Sequence, residues 1–150
     1  MRIPHLVAGF LLGVGCTLAF GVSGLELSKR AAVTSFDAAE RRVAPNGKAD
    51  IRILAHGVDA FFGHLRMDGG AEVPQHRDTS EEYLHILSGQ GVITIDGQAY
   101  PLKAGDSVYM PRNAEVSFKN GERELVAVQV FADNKSAAKY DAWKVVGGTR

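Results

Sequence analysis

The sequence predicts an all-β domain, and its glycine content, strand spacing and turn dipeptides support that class. The chain of 150 residues contains 17 glycines, which lie between short runs of β-branched and aromatic residues. About eight such runs follow one another at intervals of about ten residues. Tight-turn dipeptides such as Asp96-Gly97 and Asn120-Gly121 separate them. Many short strands joined by such turns are typical of a sandwich, a jelly roll or a barrel.

The predicted elements can be placed in order along the chain. The residue pattern predicts strands over residues 51–54, 61–67, 82–88, 91–96, 98–102, 107–110, 116–119 and 124–131. We expect residues 25–49 to be a linker or N-terminal arm, in which 36–42 could form a short helix and Pro45-Asn46-Gly47 marks a turn. The predicted all-β domain covers residues 50–132. Residues 133–150 follow as a C-terminal arm, in which 136–143 could make one helical turn.

The first 24 residues have the features of an export signal. Arg2 precedes an uncharged apolar run over residues 6–22, and small residues follow where a signal peptidase would cut. Two alternatives remain open, an uncleaved membrane anchor over residues 6–25 and a lipoprotein acylated at Cys16. We therefore expect a protein that is exported to the periplasm or the cell exterior, or one that is anchored in the membrane.

Charge and cysteine content limit the partners and the covalent framework. The 17 Lys and Arg residues balance the 17 Asp and Glu residues, and no basic patch is evident. Nucleic acid is therefore not an expected partner. Cys16 is the only cysteine, so the chain cannot form an internal disulfide.

One stretch concentrates side chains that can bind a metal ion. His76, Asp78 and Glu82 are separated by two and four residues. Side chains two or four residues apart on an extended segment point to the same face, so these groups can converge if the chain makes at most one tight turn at residues 79–80. An imidazole with two carboxylates favours manganese or iron, with zinc or nickel as further possibilities. The sequence thus predicts a divalent metal site with open positions for water or substrate.

Two other interpretations of His76, Asp78 and Glu82 remain open. Without a cation, neighbouring carboxylates raise each other's pKa, and a protonated His76 or an arginine could offset that repulsion. The three groups would then be the polar anchors of a metal-free pocket for a small organic ligand. Alternatively, the cluster is merely structural and one or more of its members face solvent.

Two spaced motifs resemble those of the cupin superfamily. The first family motif is matched at its spacing by Gly70, His76, Glu82 and Gly89. Asp78 stands where that motif has a second histidine. The second motif is matched by Gly105, Pro111 and Asn120. Asn113 replaces a glycine of the second motif and can adopt the same left-handed conformation, whereas Val116 replaces its histidine.

The resemblance covers about residues 50–132 and implies a double-stranded β-helix, which is a jelly-roll barrel with a central pocket. Family members that bind metal use three histidines and one glutamate, so at most His76, Asp78 and Glu82 are implied as ligands here. The resemblance also implies a homodimer, because many such barrels pair by strand exchange or sheet extension.

Two further residues are candidates for lining the predicted pocket. His64 could reach it from a neighbouring strand, and Val116 would extend its apolar wall. His85 lies three residues from Glu82, which places it on the opposite face of the predicted strand. Catalytic residues are left unassigned.

Three functional hypotheses follow. The first is an exported barrel whose pocket binds a small organic ligand, a divalent metal, or both. The second is a metal-dependent enzyme of the dioxygenase or isomerase type, in which the metal held by His76, Asp78 and Glu82 polarises the substrate or activates dioxygen. The third is a metal-free interaction module held at the membrane by residues 6–25.

Overall fold

The computed structural model describes residues 31–147. The export signal predicted for residues 1–24, including Cys16, lies outside the described residues. The described chain forms eleven strands and one 3₁₀ helix. In chain order they are β1 (Glu40–Val43), β2 (Ala49–His56), β3 (Ala60–Met67), β4 (Glu72–Arg77), β5 (Glu81–Ser88), β6 (Gln90–Ile95), β7 (Gln98–Lys103), β8 (Ser107–Met110), β9 (Glu115–Asn120), β10 (Leu125–Ala132), the 3₁₀ helix (Ser136–Ala142) and β11 (Lys144–Gly147).

The strands form two antiparallel sheets that pack face to face. The larger sheet has the order β11-β1-β2-β3-β10-β5-β8, and the smaller has the order β4-β9-β6-β7. Buried apolar side chains from both sheets meet between them, including Met67 and Ile86 from the larger sheet and Ile93 and Phe118 from the smaller. The prediction of an all-β jelly-roll barrel is therefore confirmed.

Turn geometry agrees with the residues that the sequence places at the turns. Asp96 and Gly97 join β6 to β7 with φ values of 48° and 82°. A two-residue hairpin turn of this kind requires positive φ at both positions, which asparagine, aspartate and glycine tolerate best. Asn113 also has a positive φ, of 61°, so asparagine fills a left-handed position in the second motif.

All eight predicted strand segments coincide with observed strands, and the structure adds β1, β4 and β11. β4 is an edge strand that contains Pro74 and has a register irregularity between Val73 and His76. A proline cannot donate to the strand ladder, so it weakens the local strand pattern and is tolerated at an edge. The short helix considered for residues 36–42 is not formed. Residues 40–42 belong to β1 instead, because that strand pairs with β2 and β11.

The C-terminal segment packs on the barrel through its 3₁₀ helix and joins the larger sheet through β11. The 3₁₀ helix covers a second apolar cluster, in which Ala137 and Tyr140 contact Phe61 and Phe131. Trp143 packs edge-on against Tyr140, with 4.8 Å between the ring centroids. In the described part of the chain, no helix combines the length and the apolar character that crossing a membrane requires.

Candidate functional site

A cavity of about 420 Å³ lies between the two sheets. Its walls are mostly apolar and include Leu65, Ile86, Ile93, Val116 and Phe118. These side chains reach the interior because side chains alternate between the faces of each strand. Val116 lies directly opposite His76 in the pairing of β4 with β9, so it extends the apolar wall beside the imidazole.

The polar end of the cavity is built from β4, β5, β10 and the C-terminal segment. We use the term polar end for the five side chains of His76, Glu82, Gln129, Lys139 and Tyr140, all of which line the cavity. Three of them form a hydrogen-bonded chain. Gln129 Nε2 donates to Glu82 Oε1 at 2.5 Å, and the Tyr140 hydroxyl donates to Gln129 Oε1 at 2.5 Å.

Strand alternation explains why Glu82 and Gln129 meet. In β5, Glu82 is 7% exposed, whereas the next residue, Tyr83, is 42% exposed. In β10 every second residue from Leu125 to Phe131 is buried, and Gln129 is one of them. Phe131 lies opposite Glu82 in the pairing of the two strands, which makes Gln129 the diagonal neighbour of Glu82.

His76, near the end of β4, and Asp78, which follows that strand, lie close together. The Nδ1 atom of His76 lies 3.0 Å from the carbonyl oxygen of Pro74, and Nε2 lies 3.5 Å from Asp78 Oδ2. A carbonyl only accepts hydrogen bonds, so Nδ1 carries a proton and Nε2 faces the carboxylate. The Asp78 carboxylate, opposed by burial, raises the pKa of His76 and so favours the imidazolium.

Lys139 brings a second positive charge to Asp78. Its ammonium group donates to Asp78 Oδ2 at 2.7 Å and lies 4.7 Å from the centroid of the Phe131 ring. Burial would raise the pKa of Asp78, but the hydrogen bonds and charges of His76 and Lys139 outweigh it and lower that pKa to about 2. Asp78 is therefore ionised at neutral pH and lies between the Lys139 ammonium group and the His76 imidazole.

Two members of the polar end have pKa values raised by burial. Desolvation raises the pKa of Glu82, and the charge of Lys139 opposes that shift. Desolvation also raises the pKa of the Tyr140 hydroxyl well above its usual value, with the nearby Glu82 adding to the shift. Tyr140 therefore remains a hydrogen-bond donor at any ordinary pH.

The residues as arranged do not fit a divalent metal ion. Among residues 31–147, no three His, Cys, Asp or Glu side chains are grouped closely enough to hold one. The Lys139 ammonium occupies Asp78 Oδ2, the Gln129 amide occupies Glu82 Oε1, and an apolar Val116 stands beside His76. The metal site predicted at His76, Asp78 and Glu82 stays a prediction.

The other histidines within residues 31–147 lie outside the cavity. His64 was expected to line the pocket. In the structure it instead packs edge-on against Phe36, with 4.8 Å between the ring centroids. The reason is strand alternation, because the next residue, Leu65, faces the cavity instead. His85 lies on the exposed face of β5, with Nδ1 2.9 Å from the hydroxyl of Ser107.

Sequence reasoning did not find Gln129, Lys139 or Tyr140. Gln129 carried a usable signal, because it is a polar residue at an inward position of an otherwise apolar strand. Lys139 and Tyr140 showed no such sequence signal, because they reach the cavity only through the docking of the 3₁₀ helix on the barrel.

Comparison with known proteins agrees with this architecture. Residues 63–131 match the cupin domain family. The chain is 32% identical over 91 residues to dimethylsulfoniopropionate lyase DddW of Ruegeria pomeroyi, an alignment that covers 57% of this chain and 60% of the lyase. The chain therefore spans only about three fifths of the length of that relative.

Solved structures show the same fold. An RmlC-like cupin from Shewanella frigidimarina superposes with a TM-score of 0.66 at 16% identity, over 73% of this chain and 96% of that one. A predicted oxalate decarboxylase from Thermotoga maritima superposes with a TM-score of 0.58 at 24% identity, over 69% and 99% of the two chains. The barrel described here is therefore similar in fold to these cupins, and residues 63–131 within it match the cupin domain family.

Proposed function

We propose that the cupin barrel binds a small organic molecule with an apolar body and one oxygen-bearing head, such as a monocarboxylic acid. The observation that carries this proposal is a cavity of about 420 Å³ whose walls are mostly apolar and into which the hydrogen-bonded Glu82, Gln129 and Tyr140 present polar groups. Cavities of roughly 300–1,000 Å³ with a few convergent polar groups are typical of small-molecule sites.

The chemistry of the polar end supports an oxygen-bearing head. A lysine ammonium has three N–H donors, and one of those of Lys139 goes to Asp78. The remaining donors, with the second N–H of the Gln129 amide, suit a carbonyl or carboxylate oxygen. The apolar walls would surround the rest of the molecule, since each buried CH₂ group contributes about 0.8 kcal/mol.

Calorimetric titration with a panel of aromatic and branched aliphatic monocarboxylic acids tests the proposal. The matched primary amides show whether the charge of the head matters. We expect at least one acid to bind at a single site, and we expect Val116→Phe to weaken that binding by about tenfold or more because the larger ring fills the cavity.

Val92→Phe is the matched control, because it makes the same change on β6 at a residue that is 40% exposed. Its affinity should equal that of the wild type. Failure of every acid to bind, or equal binding by Val116→Phe, would show that the cavity is not the site.

An enzyme acting in the same cavity is the second candidate. The similarity to a protein named as a lyase favours it, and the His76–Asp78 pair supplies an imidazole that can exchange protons with a bound molecule. A metal-dependent oxidoreductase or isomerase, with manganese or iron, would require Lys139 to leave Asp78. Turnover of a bound acid, followed by proton NMR and lost in His76→Ala, distinguishes an enzyme from a binding protein.

Export remains part of the proposal and rests on the sequence of residues 1–24 alone. The mass of the protein recovered from the cell envelope or the medium distinguishes a cleaved signal from a retained or acylated one.

A further inference from the structure

Trp143 lines the cavity from a position directly after the 3₁₀ helix. It lies outside residues 63–131, the part of the chain that matches the cupin domain family. We propose that Trp143 is an aromatic wall against which the body of the ligand packs, so that the cavity selects carboxylic acids with a planar aromatic ring. This inference rests on the function proposed above, because it names the class of acid that the same cavity binds.

The backbone holds Trp143 in place from both sides. Its N–H donates to the carbonyl oxygen of Tyr140 at 3.0 Å, which closes the 3₁₀ helix. The next residue, Lys144, begins β11 and lies opposite Val43 of β1. The indole itself is partly buried against the second apolar cluster. A large side chain that is already fixed loses little conformational freedom when a ligand packs on it, which favours binding.

Lys139 and Trp143 lie beside the same tyrosine ring. The centroid of the Tyr140 ring is 5.9 Å from the Nζ atom of Lys139 and 4.8 Å from the ring centroid of Trp143. All three side chains line the cavity. A small acid whose carboxylate accepts a hydrogen bond from Lys139 can therefore bring its body against the indole of Trp143.

Other parts of the cavity wall also suit a flat ring. Phe118 from the smaller sheet is a further aromatic residue of the lining, and Met67 and Met110 contribute thioether groups to it. Aromatic rings pack favourably against other rings in offset or edge-on arrangements, and also against thioether sulfur. A saturated ring of similar size fills the same space but has no aromatic face. Comparing the two kinds of ring therefore separates aromatic contact from apolar burial.

Calorimetric titration of the full-length protein with phenylacetic acid and cyclohexylacetic acid tests the inference. The two acids differ only in the saturation of the ring, so the ratio of their dissociation constants reports aromatic contact and is insensitive to general damage to the cavity. We expect Trp143→Leu to reduce the preference for phenylacetic acid, expressed as this ratio, by about fivefold or more. Trp143→Phe keeps an aromatic face and should retain most of the preference. Tyr100→Leu removes an exposed ring on the smaller sheet and should leave the ratio unchanged.

The fluorescence of Trp143 gives a second measurement on the unaltered protein. Trp143 is the only tryptophan of the chain, so an acid that contacts the indole should change the tryptophan emission. We expect phenylacetic acid to change it saturably, with the dissociation constant that calorimetry gives. This measurement tests the inference even if Trp143→Leu fails to fold.

Three results would overturn the inference and leave the proposed function standing. They are an unchanged ratio in Trp143→Leu, binding of phenylacetic acid without a change in Trp143 emission, and binding of branched aliphatic acids alone. If none of the acids binds to the wild type, the proposed function fails and the inference fails with it.

Discussion

Glu82 is an acidic side chain of the cavity whose protonation is governed by its burial. Its carboxylate is 7% exposed and accepts a hydrogen bond from Gln129, which itself accepts one from Tyr140. A neutral acid is more easily buried than a carboxylate, and desolvation accordingly raises the pKa of Glu82. The position therefore favours an uncharged hydrogen-bonding group over a charged one.

The first prediction concerns the variant Glu82→Gln. A group whose pKa is raised in the folded state loses its stabilising contribution as the pH rises above its usual pKa, so the ionised Glu82 costs stability at neutral pH. We expect Glu82→Gln to unfold at a higher temperature than the wild type at about pH 7.5, and we expect the difference to shrink toward about pH 4. Thermal denaturation followed by circular dichroism at the two pH values measures this.

Glu81→Gln is the matched control, because it makes the same change one residue earlier in β5. The melting temperature of that variant should follow the wild type at both pH values. A lower melting temperature for Glu82→Gln at neutral pH would mean that the charge of Glu82 stabilises the fold.

Among the structural elements, the C-terminal segment is the one that completes the site. The barrel strands supply His76, Glu82 and Gln129, whereas Lys139 and Tyr140 come from the 3₁₀ helix that follows β10. Asp133 starts this segment, accepting hydrogen bonds from the Ser80 hydroxyl, from Arg112 Nη1 and from the backbone N–H of Lys135. Loss of these contacts would separate the polar groups of the segment from those of the barrel.

The second prediction is that acid releases this segment. Hydrogen bonds from Ser80 and Arg112 lower the pKa of Asp133 to about 2, and the pKa of Asp78 beside Lys139 is also about 2. A carboxylate with a lowered pKa in the folded state stabilises it above the usual pKa of about 3.9, and that stabilisation is lost as the pH falls toward about 2. The emission maximum of Trp143 should therefore shift to longer wavelength between about pH 4 and pH 2.

Asp133→Asn should show part of that shift already at neutral pH. Asp106→Asn removes a carboxylate that accepts a hydrogen bond from the Lys103 backbone in another turn, and it should behave as the wild type. If Asp133→Asn left both the neutral emission spectrum and its acid midpoint unchanged, the carboxylate would not hold the segment in place.

For the molecule as a whole, local residue patterns determine most of the barrel. Strand alternation and turn dipeptides predict eight of the strands, and the left-handed Asn113 and Asp96 fit their turns. The patterns fail where long-range pairing decides the structure, as for β1 and β11, which form strands because they pair with each other across about a hundred residues of sequence. β4 was not predicted either, because Pro74 interrupts its strand pattern, although that strand carries His76.

The candidate site was predictable only in the part that lies on consecutive strands. The spacing of His76, Asp78 and Glu82 places the first two beside each other and the third at the cavity. The ammonium group that neutralises Asp78 comes from a residue 61 positions away, in a segment without a periodic pattern. Packing of that segment on Phe61 and Phe131, together with its hydrogen bonds to the barrel, brings Lys139 to the site.

The third prediction concerns the oligomeric state, since the homodimer implied by the resemblance stays a prediction. Phe62, Tyr83 and Tyr109 lie in one row across β3, β5 and β8 on the outer face of the larger sheet, and they are 39%, 42% and 51% exposed. An exposed apolar row of this kind is typical of a protein interface. Light scattering on the wild type should give the mass of two chains.

Tyr109→Glu should reduce that mass to one chain, whereas Tyr100→Glu, which is similarly exposed on the smaller sheet, should not. A monomeric wild type, or a dimer that survives Tyr109→Glu, would exclude this face as the interface.

The most direct test of the central claim is an NMR titration of the isotope-labelled protein with the monocarboxylic acids. The claim is that the apolar walls hold the body of the ligand and the polar end holds its oxygen-bearing head. We predict saturable shifts at the methyl groups of Ile93 and Val116 and at the side-chain amide of Gln129, together with contacts between the bound acid and those methyl groups. Shifts confined to the outer face around Tyr83 and Tyr109, or none that saturate, would contradict the assignment of the cavity as the binding site.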